Sequence, residues 1–98
     1  MTCSIPKDKQ KAYVQRVVRE SIKDVDGRNP QPTVTQDTML GPGGLGHSTT
    51  LRKRYHGVIR TRLSENGCVM KTLSPESFAA DTLVRVRDVT ALVLGDLA

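Results

Sequence analysis

Between residues 26 and 46 this chain cannot run as a continuous helix. Pro30, Pro32 and Pro42 fall there, with glycines at 41, 43, 44 and 46. Proline removes a backbone donor and clashes with the preceding helical turn. A break this long divides the 98 residues into a helix before it and a helical half after it. Structureless segments of that length are uncommon in compact domains and are often functional. This one ends in Gly41-Pro42-Gly43-Gly44-Leu45-Gly46-His47-Ser48-Thr49-Thr50, a glycine-rich run that delivers the backbone to a hydroxyl cluster. Ser48 or Thr49 suits the N-cap of a following helix. There the free N–H groups and the helix dipole favour a phosphate or another anion.

The flanking segments carry helical periodicity. Pro6 fits a first turn, and Tyr13, Val14, Val17, Val18, Ile22 and Val25 share one face, with Gly27 as a stop. This predicts a helix over 6–25 after a loose tail at 1–5. Past the break, Leu51, Tyr55, Val58, Ile59 and Leu63 predict a second helix over 49–64, ended by Asn66-Gly67. Ser74-Pro75-Glu76 is a helix-start signature for a short helix at 75–81 anchored by Phe78. Leu83 to Arg87 alternates like a strand, and so does Thr33-Val34-Thr35, but neither has an evident partner run. Val86, Val89, Thr90, Val93 and Leu97 instead predict a last helix over 83–95. The expected architecture is one all-α domain of four helices spanning residues 1–98.

The aromatic content is 3%, with no Trp, so the core must be built from Val, Leu and Ile. Two cysteines, Cys3 and Cys68, with no apolar run near the N-terminus read as reduced thiols in a cytoplasmic protein. Nor does any window approach a membrane span. No zinc spacing is present, and no metal is expected.

Several site motifs come close and fail on context. Gly41-x-Gly43-x-x-Gly46 has the dinucleotide-binding form but neither the preceding strand nor the parallel sheet. Gly41 to Ser48 approaches the phosphate-loop motif with His47 in place of its lysine. Asp24, Asp26 and Asn29 around Gly27 lack the glycine and glutamate positions of a calcium loop. His47 has no partner acid that would make it a base for Ser48. No catalysis of the chain's own is expected.

The net charge is +5. Arg52, Lys53, Arg54, Arg60 and Arg62 make one flank of the second helix basic, with no acid between Leu51 and Leu63. Such a flank is either a solvated face or a docking surface for an acidic protein or nucleic acid. Nucleic acid is the less expected partner, because only Tyr55 is aromatic there and it falls on the apolar stripe.

The order of segments resembles the acyl and peptidyl carrier proteins. Asp37-Thr38-Met39-Leu40-Gly41 followed by Gly44-Leu45-Gly46 is similar to that family's approach to its attachment serine. Val86-Arg87-Asp88-Val89-Thr90-Ala91-Leu92-Val93 is similar to its closing helix. The resemblance implies a serine heading the second helix, carrying a 4′-phosphopantetheine arm whose thiol holds acyl or aminoacyl groups as thioesters. On this chain that residue is Ser48. The implied partners are a phosphopantetheinyl transferase and acyl- or aminoacyl-transferring enzymes. The family's Asp-Ser-Leu is absent. Aligning serine with serine puts His47 and Thr49 in place of Asp and Leu, while keeping loop length puts Thr49 at the attachment position. The family's second helix is also typically acidic, whereas here it is basic, which implies partners of the opposite charge.

Overall fold

The computed structural model describes residues 3–26, 35, 37–40, 44, 48–80 and 83–97. Three α-helices appear among them: α1 (Lys7–Asp26), α2 (Thr49–Glu65) and α3 (Val86–Asp96), with a short 3-10 helix at Pro75–Ala79. The fold is all-α, but the fourth helix is not an α-helix. The Ser74-Pro75 start produces a single 3-10 turn and a half, because Ala80 is already extended at ψ 138°. Gly27, Pro30, Pro32, Val34, Gly41, Pro42, Gly43, Leu45, Gly46 and His47 lie outside the described residues.

α1 packs against both α2 and α3, and the 3-10 helix packs against α2. The core is aliphatic as the composition requires. Val14, Val18 and Ile22 from α1 meet Ile59 and Leu63 from α2 and Val86, Val89 and Val93 from α3, all fully buried. Among the described residues Tyr55 and Phe78 are its fully buried aromatic rings, and Tyr13 packs against its edge. Truncating Ile22 or Leu63 to alanine in such a core costs about 2–5 kcal/mol.

α2 ends where Asn66-Gly67 implies, and by a defined mechanism. Gly67 takes φ +75°, a left-handed conformation that suits glycine. Its N–H donates to Ser64 O and that of Cys68 donates to Leu63 O, which satisfies the last carbonyls of the helix.

α3 begins three residues later than the periodicity indicates. The Asp88 carboxylate accepts the N–H groups of Val84 and Arg85, at 3.1 and 2.8 Å, and so holds those residues outside the helix. Residues 83–85 are therefore extended. The alternation at Leu83–Arg87 does find a partner: Leu40 N–H donates to Val84 O and Val86 N–H to Thr38 O, an isolated antiparallel bridge between Met39 and Arg85. A second bridge joins Met70 to Leu97.

The N-terminal segment is not loose from residue 3 onward, and the cysteines are not reduced. Cys3 and Cys68 form a disulfide, with Cα atoms 4.0 Å apart. The Ser4 hydroxyl donates to Asn66 O, and Ile5 packs on the core. The sequence separation of 65 residues hid this pairing, which becomes visible only once α1 and α2 lie antiparallel.

Candidate functional site

Ser48 is the N-cap of α2. It has extended backbone (φ −67°, ψ 132°), its carbonyl accepts from Arg52 N–H at 3.0 Å, and its Oγ accepts from Leu51 N–H at 3.5 Å. The side chain is half-buried, and Thr49 beside it is exposed as the first helical residue. No acidic side chain stands in the first turn of α2. The positive end of the helix dipole is thus left without a compensating carboxylate there, the arrangement that favours a bound or attached phosphate group.

The chain around this end is closely tied. A Cβ added at Gly44 would stand 2.3 Å from Met39 O, so Gly44 lies directly against the bridge segment. Arg52 is buried rather than exposed. It donates to Ala80 O at 3.0 Å and to Leu83 O at 2.7 Å, fastening the link between the 3-10 helix and α3 onto the first turns of α2.

The five basic residues of α2 therefore separate into two groups. Arg52 faces inward. Arg62 is half-buried, donating to Ser21 Oγ at 3.2 Å and forming an ion pair with Asp24, so it clamps α2 to α1. Lys53, Arg54 and Arg60 remain exposed. Lys53 shares its surroundings with Glu76. The Glu76 carboxyl is held below its ordinary pKa by a backbone hydrogen bond in its own turn and by the Ser74 hydroxyl. These outweigh slight desolvation, and Lys53 and His56 add to the lowering.

His56 is a buried polar side chain that sequence reasoning did not single out. Its Nε2 lies 2.8 Å from Leu73 O, and its ring stands edge-on to Phe78 at 5.5 Å. The signal was present: Arg52, His56, Ile59 and Leu63 recur at i, i+4, i+7 and i+11, one helical face, and that face is buried. Among the described residues no cluster of His, Cys, Asp and Glu could hold a metal. No described helix is long and apolar enough to cross a membrane. No family model, curated protein or solved structure matches this chain.

Proposed function

We propose that this chain is a non-standard acyl or peptidyl carrier, without catalysis of its own, holding a 4′-phosphopantetheine arm on Ser48. The observation that carries this proposal is the position of Ser48: a half-buried hydroxyl capping a helix whose first turn holds no acid, at the end of a long glycine-rich stretch of sequence. A phosphodiester formed there would meet the N-terminal N–H groups of α2. The arm would then swing its thioester clear of the bundle to partner acyl- or aminoacyl-transferring enzymes. The arm would come from coenzyme A through a phosphopantetheinyl transferase.

The test is intact mass after incubation with coenzyme A and a broad-specificity transferase. The parent chain gains one phosphopantetheine. Ser48→Ala gains none and loses about 1 kcal/mol of capping. Ser48→Asn, which keeps a good cap, also gains none and stays near parent stability. No gain by the parent with several transferases rejects the carrier function.

A second function is favoured by one specific observation: Ser48 Oγ is already engaged as a cap, in a sequence without Asp-Ser-Leu. This is an interaction module on a carrier-like scaffold, without the arm. It predicts no loading and a protein partner for α2.

A further inference from the structure

The outward face of α2 carries a shallow groove of about 540 Å³ lined by Arg54, Gly57, Val58, Thr61, Arg62 and Glu65. These positions recur at i, i+3, i+4, i+7, i+8 and i+11, which is one face of a single helix. Among the described residues no other element contributes to its lining. A Cβ built on Gly57 meets nothing within 4 Å, so the middle of the groove is open to a closely approaching backbone. Its two ends carry opposite charge: Arg54 toward the start of α2 and Glu65 at its end.

We propose that this groove is the interface of a homodimer, occupied by α2 of a second copy running antiparallel. With Arg54 set opposite Glu65 of the second copy, the twofold requires the reciprocal pair as well, giving two ion pairs for one contact. The same register sets Val58 opposite Thr61, twice, at the centre. It also sets Gly57 opposite Arg62, so the space left by the missing side chain receives the arginine stem. Arg62 keeps its guanidinium on Ser21 and Asp24 of its own chain and brings no uncompensated charge into the seam. Lys53 and Arg60 fall outside the six seam positions, on the flank.

The observations favour a second copy over a polyanion. Val58 at the centre is apolar, and Glu65 would repel a phosphate backbone. The register also leaves Ser48 clear. It stands opposite position 71, beyond the end of the second copy's α2 at Glu65. The dimer does not depend on an arm at Ser48. A 17-residue helix pair buries less than a standard interface, so the dimer is weak and concentration-dependent.

Light scattering after size exclusion, across a concentration series of the full chain, gives the dissociation constant. The expected result is a micromolar dimer. Arg54→Glu alone and Glu65→Arg alone each weaken it about tenfold or more, by setting like charges against each other. The double variant R54E/E65R returns the affinity to near the parent value, an outcome that a folding defect could not produce. Gly57→Leu, which has free space within its own chain, keeps the helix content by circular dichroism and gives a monomer. A parent chain that stays monomeric at its highest soluble concentration overturns the proposal. So does a dimer indifferent to the single reversals. Retention of a monomeric parent on DNA at low salt would likewise overturn it and assign the face to a polyanion.

Discussion

At the scale of single residues, positions that look alike in the sequence have opposite duties. Arg52 and Lys53 are adjacent cations on α2, yet one is buried on two carbonyls and the other is exposed. Arg52→Ala should leave Ala80 O and Leu83 O without their donor and cost about 1–3 kcal/mol. Lys53→Ala and Arg60→Ala should stay within about 0.5 kcal/mol of the parent. Urea unfolding of the three variants checks this, and equal losses at positions 52 and 53 would mean that Arg52 is not a fastener. The glycines divide similarly. Gly57 has open space around it, so alanine there should gain up to about 1 kcal/mol from helix propensity. At Gly44 the same change drives a Cβ into Met39 O, a backbone atom that cannot rotate away, and should cost about 1–3 kcal/mol. Thermal unfolding of Gly44→Ala beside Gly57→Ala reads shifts of opposite sign.

At the scale of elements, the apolar stripes of α1 and α2 were legible within a residue or two, because each buries one face and the spacing of valine, isoleucine and leucine records it. What was not legible was set by side chains reaching across the fold. Asp88 holds back the start of α3, and residues 38–40 supply the partner that Leu83–Arg87 lacked in the sequence. The position of Ser48 as a cap could be read from hydroxyls behind glycines. The division of the basic flank is recorded in its period, since Arg52 shares a buried face with Ile59 and Leu63, whereas charge alone does not distinguish Arg52 from Lys53. Asp96, at the end of α3, was not anticipated. Its carboxylate accepts the N–H groups of Thr72 and Leu73 and the Thr72 hydroxyl, pinning the 70–74 link. Desolvation pushes its pKa up, but these hydrogen bonds outweigh it and hold the group below its ordinary value of 3.8. A carboxyl lowered on folding stabilises above its unfolded pKa and loses that contribution as pH falls through the folded one. Melting temperature measured from about pH 6 down to about pH 2 should therefore drop more steeply for the parent than for Asp96→Asn below the ordinary value. Parallel curves would show that the carboxylate charge contributes nothing to the link.

At the scale of the whole molecule, the two ends of α2 are separated by about 25 Å of helix and differ in what surrounds them. Ser48 stands at one end. The other is where the chain is gathered: the Cys3–Cys68 disulfide, the Ser4 bond to Asn66, and the Met70–Leu97 bridge all converge past Glu65. The disulfide closes a loop with a sequence separation of 65, nearly two thirds of the chain. Cross-links of that span remove entropy mainly from the unfolded chain, worth about 4 kcal/mol in the chain-entropy account and commonly about 2–4 in practice. In a domain of this size each kcal/mol moves the melting temperature by about 4–8 °C. Reduction, or the variant pair Cys3→Ser and Cys68→Ser, should thus lower it by about 10 °C or more. Because the cross-link lies a helix length from Ser48, the proposed carrier function predicts that reduction below the melting temperature leaves the rate of arm transfer to Ser48 unchanged. Calorimetry with and without reductant, alongside a loading time course, separates the two effects. A melting shift with unchanged loading makes the disulfide a brace for the far end of the bundle. Loss of loading on reduction, with helix content intact, would mean that the two ends of α2 are coupled through the core.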